Sequence, residues 1–302
     1  MTKATPYHLV ISPKTRVLNF IRRFFIVTGF DKKLSTLTKN KPASSFFVKL
    51  IPPNYLYRPG TIRSVVLNGI SFKTDISDTM GHVVYFGIKD PGQEKLFSLI
   101  RPGMSVMDVG TNIGLTALNF ARIVGEKGKV FAFEPDPYNH SQATINFGLN
   151  GFKALSLFNI GLADKAGTAT LFNVNETNRG MLRILKEDSN TKGLDKTTIN
   201  LTTLDAFVND QKIQKPDFIK IDVEGYEFNV LKGAVQTLST YKPLLYIELD
   251  DNNLKEQGAS PAMLISYLQS LGYQVTDAVS GKHLNEKSDL TGCHIDIIGK
   301  AE

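Results

Sequence analysis

The chain has 302 residues, 42% of them hydrophobic, and a formal net charge of +6. That is enough for a full-sized core, as one large domain or a domain with an extension. A single cysteine, Cys293, excludes an internal disulfide framework, and no run reaches the ~20 apolar residues of a membrane span. Arg22 and Arg23 interrupt the one early apolar run that would otherwise suit a secretory signal, so a cytoplasmic protein is expected.

The charge is concentrated at one end. Residues 1–50 hold ten Lys or Arg against one acid, Asp31, giving +9 there and −3 over the remainder. The basic balance is therefore no argument for a nucleic-acid partner of the later domain. Residues 14–30 read as a basic amphipathic helix, with Val17, Leu18, Ile21, Phe24 and Phe25 at helical spacing and Arg16, Arg22 and Arg23 between them. Such a segment suits peripheral contact with a membrane surface or a partner, or packing on its own domain with solvated charges. A linker follows at 39–54, with one short strand expected over 46–51. Asn68-Gly69 between 63–67 and 70–74 marks a hairpin. A further strand is expected at 82–87 and a helix at 93–100, before Pro102-Gly103.

From 104 onward strands and helices alternate. Strands are expected at 104–109, 129–134, 154–160, 217–222, 244–249 and 273–278, with helices at 113–124, from Pro137 to about 150, and at 226–238 and 261–271. A small β segment falls at 168–174, a polar and mobile loop at 175–196, and a strand end leading to a helix at 201–208. A last strand, 294–299, is reached by a short connection and should run antiparallel. The pattern implies an α/β fold with a mostly parallel sheet covered by helices on both faces. Three divisions are expected: a basic helix and linker (1–60), a hairpin and helix entry segment (61–103) and the main domain (104–302).

Four features fall at the C-terminal ends of expected strands, where open α/β sheets bind ligands. The first is the turn from Asp108 to Gly114, in which Gly110 and Gly114 let a ligand approach backbone amides at a helix N-terminus. The second is Glu134, placed to accept hydrogen bonds from both hydroxyls of a ribose. The third is Asp164, which could meet an adenine amino group. The fourth is the run Lys220-Ile221-Asp222-Val223-Glu224-Gly225. A lone acid at such a place is more often a helix cap or a solvated charge; four at one edge point to a site. A nicotinamide dinucleotide and S-adenosylmethionine both suit a glycine turn followed by a second-strand acid. Asn112 stands where a dinucleotide loop wants another glycine, and Asp108 would oppose a pyrophosphate but favour an ammonium group. Both points favour S-adenosylmethionine.

At these residues the sequence resembles the FkbM-type S-adenosylmethionine-dependent methyltransferases. The matching runs are 108–114, 132–137, 219–227 and 244–248, joined by Asn146, Asn150-Gly151 and 231–234, so the resemblance covers about 65–250. Thr111 stands where the family more often has alanine. The resemblance implies a Rossmann-like, seven-stranded methyltransferase sheet. It also implies O-methylation, usually of a hydroxyl on a sugar, glycan or other natural product. The cofactor residues it implies are Gly110, Thr111 and Gly114 along the methionyl arm, Glu134 at the ribose and Asp164 at the adenine. Asp108, Asn112 and Asp222 would lie at the amino-acid end.

An alcohol is a poor nucleophile, so a base near the methyl group would help; the candidates are Asp222, Glu224 and Glu248. The competing reading is that Asp222 orients the cofactor and Glu224 caps the following helix. Together the three acids could hold a divalent cation through oxygen, but no histidine supports a tighter site and no metal is expected. His294 is expected to be structural, and Tyr85, Phe86 and Tyr226 are either acceptor-pocket or core aromatics. Two other functions fit less well: a non-catalytic S-adenosylmethionine-binding module and a nicotinamide-dependent dehydrogenase.

Overall fold

A computed structural model describes residues 12–175, 177–185, 188 and 191–301. The chain forms two compact units. The first comprises Met1–Asp90 with Thr177–Gly180, and the second Pro91–Glu176 with Met181–Glu302.

The first unit opens with α1 (Pro13–Thr28), whose Ser12 cap accepts a bond from the Thr15 amide. The left-handed Gly29 ends α1 and starts α2 (Phe30–Thr38). A two-residue strand β1 (Lys41–Pro42) pairs in parallel with β4 (Ile88–Lys89). The hairpin of β2 (Ile62–Leu67) and β3 (Ile70–Asp75) turns on Asn68 and Gly69, both at positive φ. Residues 46–51, expected as a strand, instead form the helix α3 (Phe46–Leu50). The expected strand at 82–87 is likewise helical, as α4 (Thr79–Phe86). Both apolar runs are too short for periodicity to separate strand from helix. For α4 the end signals decide: Asp78 accepts bonds from the Met80 and Gly81 amides, and Gly87 closes the helix in the left-handed region. Tyr85 and Phe86 are buried in this unit, which makes them core.

The second unit has a mixed eight-stranded sheet among the described residues, one strand more than the seven expected. Its strands are β5 (Ser105–Val109), β6 (Lys129–Phe133), β7 (Leu155–Phe158), β12 (Phe218–Ile221), β13 (Leu244–Asp250), β14 (Tyr273–Asp277), β15 (His283–Leu284) and β16 (His294–Ala301). Their order is β15-β14-β16-β13-β12-β5-β6-β7. The run from β13 to β7 is parallel, and β16 inserts antiparallel between β13 and β14. The additional strand is the two-residue β15, antiparallel on the outer edge of β14. A second sheet, ordered β10-β9-β11-β8, contains β8 (Gly161–Leu162), β9 (Gly167–Asn173), β10 (Leu182–Ile184) and β11 (Lys196–Thr202). Part of the expected loop at 175–196 is therefore the strand β10, and residues 176, 186, 187, 189 and 190 lie outside the described residues.

Alternate side chains of the strands face opposite sides of the large sheet. Val106, Ala132, Phe218 and Tyr246 pack with α5 (Pro91–Ser98) and α6 (Leu115–Val124). α7 (Pro137–Gly148) links β6 to β7. Met107, Phe133, Ile219, Ile221 and Ile247 pack on the other side with α8 (Leu204–Asp210), α9 (Glu227–Lys232), α10 (Val235–Tyr241), α11 (Asp251–Glu256) and α12 (Pro261–Ser270). The expected helix 226–238 is broken at Gly233. A Cβ there would meet the Ala163 carbonyl oxygen at 1.9 Å, so the backbone crosses too closely for an ordinary helical residue.

Candidate functional site

The parity that buries Val106 and Phe218 beneath α5 and α6 also sets the site. Two residues on, at the C-terminal ends of β5 and β12, the same face carries Asp108 and Lys220, directly paired in the register. Tyr246 lies opposite Lys220 on β13, and Glu248 is two residues further along. Charged side chains therefore collect where the apolar face ends.

Lys220 is the hub. The residue is 4% exposed, and its ammonium donates to the Gly110 carbonyl at 2.9 Å and lies 3.1 Å from Asp222 and 3.5 Å from Asp108. Burial opposes its charge, but the carboxylates of Asp222 and Asp108 together outweigh that and raise its pKa. Asp108 is fully buried; one oxygen accepts from the Thr111 and Thr116 hydroxyls, and the other has no hydrogen-bond partner.

The turn from Asp108 to Gly114 is held from several sides. The amides of Gly110 and Thr111 donate to the Phe133 carbonyl, and Asn146 of α7 donates to the Ile113 carbonyl at 2.9 Å. Gly110 sits at φ 82°, and a Cβ there would meet the Asp222 carbonyl oxygen at 1.9 Å. At Gly114, φ 92°, a Cβ would meet the Phe147 ring at 2.5 Å. Both positions require glycine. Asn112 adopts φ 52°, a conformation asparagine tolerates, and its amide donates to Glu134 at 2.8 Å. The other Glu134 oxygen accepts the Asp136 amide at 2.9 Å. Burial pushes this carboxyl up to about 8, against the pull of those two amides.

Beside the turn, Asp222, Glu224 and Glu248 each bring an oxygen within 4.8 Å of the others. Asp222 is the open member, its side chain 41% exposed. Glu224 is held at φ 54° and accepts from Asn253 at 3.1 Å. Burial, then Asp222, pushes it up to about 7, with Arg183 acting the other way from 4.0 Å. Burial and the charges of Asp222 and Glu224 raise Glu248 well above the usual carboxylate range. His294, expected to be structural, reaches this cluster; one ring nitrogen is 3.7 Å from Glu248 and the other 3.0 Å from Asp250. Glu227, not Glu224, satisfies the turn into α9, accepting the Val223 and Gly225 amides.

Asp164 follows β8 of the second sheet, with Lys232 at 4.0 Å. Three residues of the cluster escape a reading by strand ends, while Lys220 opens the expected run at the end of its strand without a role assigned to it. Glu227 could have been read as a helix-start acid. Arg183 and Asn253 had no signal.

The sequence model of the methyltransferase FkbM domain matches residues 108–275, and the chain belongs to this family. The match takes in the glycine turn, Glu134, Asp164, Lys220 and the three clustered acids; the first unit's residues up to Asp90 and His294 lie outside it. The hexuronic acid methyltransferase AglP of Haloferax volcanii is 32% identical over 133 residues, 44% of this chain and 51% of that protein. The 2-O-methyltransferase NoeI of Sinorhizobium fredii is 25% identical over 52% of this chain and 68% of its own length. The chain thus spans about half the length of the first of these relatives. Among solved structures, methyltransferase FkbM from Methylobacillus flagellatus is 16% identical, with a TM-score of 0.43 over 71% of this chain and 51% of that one.

Proposed function

We propose that the chain binds S-adenosylmethionine at the turn from Asp108 to Gly114 and transfers its methyl group to a hydroxyl oxygen of a sugar or glycan. The observation that carries this reading is the turn itself, with two glycines that admit no side chain and a buried acid, Asp108, whose second oxygen faces the Lys220 ammonium at 3.5 Å without a hydrogen bond. These features suit a cationic amino-acid end better than a pyrophosphate. Gly110, Thr111 and Gly114 would line the methionyl arm with backbone. Asn112 and Asp222 would hold its amino-acid end by contact, and Asp108 by its nearby charge. Glu134 keeps a lone pair on each oxygen for ribose hydroxyls, and Asp164 would take the adenine amino group. When bound, S-adenosylmethionine supplies a methyl group on a positively charged sulfur. A sugar acceptor is supported by the relative named a hexuronic acid methyltransferase.

In this reading the protein aligns the acceptor hydroxyl and takes its proton. Glu224 suits the second task, since a base works best with a pKa near the working pH and its carboxyl lies at about 7. Asp222 and Glu248 surround the same position. Lys220 already provides the cationic partner for Asp222, so the reading needs no metal.

Titration calorimetry with S-adenosylmethionine tests the assignment. Replacing Glu134 by alanine should weaken binding roughly tenfold or more, the loss expected for two hydrogen bonds at about 1 kcal/mol each. Undiminished affinity in a folded variant would sink it. Methyl transfer to a uronic-acid glycoside should rise as pH passes through about 7, where Glu224 loses its proton. Glu224→Gln should abolish that rise; a profile unchanged by the substitution would remove Glu224 from the role.

A further inference from the structure

The outer face of α1 is apolar. Val17, Phe20, Ile21, Phe24 and Val27 are all exposed, Phe20 at 78% and Val27 at 85%. At about 100° per residue they fall within an arc of about 120°. Helical geometry puts Arg16 and Arg23 along one border of that arc and Lys14 along the other, all three exposed.

The opposite face is already engaged. Asn19 donates to the Tyr55 hydroxyl at 3.0 Å, Arg22 donates to the Lys49 carbonyl, and Phe25 packs on Phe30 with ring centres 5.0 Å apart. The apolar stripe therefore cannot turn inward without breaking that packing. Nearby, Phe46 is exposed, as are Lys32 and Lys33. The sole acid of the first 50 residues, Asp31, is 1% exposed and accepts the Tyr57 hydroxyl at 3.2 Å. Among the described residues of this segment no exposed carboxylate meets the surface.

We infer that α1 lies in the plane of an anionic lipid bilayer, its aromatic stripe among the upper acyl chains and its basic borders at the headgroups. An apolar stripe with cationic flanks and low overall hydrophobicity is the pattern of an interfacial helix. The flanking lysine and arginines can keep their charges at headgroup level while their stems cover apolar surface. A second copy of the chain is a poorer occupant, because face-to-face pairing would bring two basic surfaces together. Among the described residues no helix is long and apolar enough to cross a membrane.

Sedimentation of the full chain with lipid vesicles tests this. The chain should pellet with vesicles of phosphatidylcholine mixed with phosphatidylglycerol, far less with phosphatidylcholine alone, and progressively less as salt is added. Phe20→Ser with Phe24→Ser should cut binding roughly tenfold or more, since the aromatic area no longer partitions. Arg16→Gln with Arg23→Gln should remove much of the salt dependence. Melting temperature serves as the folding control, and these exposed positions should leave it unchanged. Equal pelleting of the serine variant, or equal binding to neutral vesicles, would overturn the inference. So would a dimer in light scattering that the serine variant abolishes while the native chain ignores vesicles.

Discussion

Lys220 makes a strong local demand on stability. Replacing it by methionine leaves Asp108 buried beside no cation, a loss typically of ~3–5 kcal/mol. Denaturant unfolding should show a cost of that size, and adding Asp108→Asn should recover much of it, because the two residues share one interaction. Additive losses would mean that the 3.5 Å pair contributes little. The acids themselves were legible in the sequence. Glu134 and Asp222 each follow the last apolar residue of a strand, and Asp108 and Glu248 fall within two residues of a strand's C-terminal end. Their convergence with Lys220 was not legible, because it depends on the register that sets Lys220 beside Asp108, 112 residues apart in the chain. Arg183 was hidden for a further reason: it comes from a polar stretch without periodicity.

At the scale of elements, long alternating segments were readable and short apolar runs were not. The strand Ser105–Val109 and the helix Leu115–Val124 follow from hydrophobic pattern and bounding glycines. The segment Thr79–Phe86 was misread because its apolar residues outweighed Asp78, the capping residue that starts the helix. That cap is testable. Asp78 also accepts the Arg179 amide at 2.7 Å, so Asp78→Ala should cost at least the ~1 kcal/mol of an ordinary N-cap. Thermal melting should show the loss, with Asp78→Asn losing less. An unaffected melting temperature would mean the helix does not depend on its cap.

For the whole molecule, the buried carboxyls couple folding to pH. Burial pushes Glu227 from 4.5 to about 7, against the amides that its ordered oxygen accepts. The folded chain therefore keeps a proton that the unfolded chain releases in that interval. This contribution to stability is complete below pH 4.5 and disappears as pH rises through about 7. Glu227→Gln keeps an oxygen for both amides and removes the titration. The fall in unfolding free energy between about pH 5 and pH 8, read by denaturant unfolding, should become shallower by up to roughly 1.4 kcal/mol per pH unit. Identical slopes would assign the effect elsewhere.

The first unit is discontinuous. Its residues up to Asp90 are completed by Thr177–Gly180, and Thr177 accepts the Thr79 amide while Arg179 donates to Asp78. The matched family region, 108–275, contains that four-residue piece. No single cut in the chain can therefore separate the two units intact. A fragment ending at residue 90 would lack the amide that Asp78 accepts, and a fragment starting at 91 would carry four residues stripped of their neighbours. Co-expression of the two pieces, rather than either alone, is the sound route to a split form of this protein.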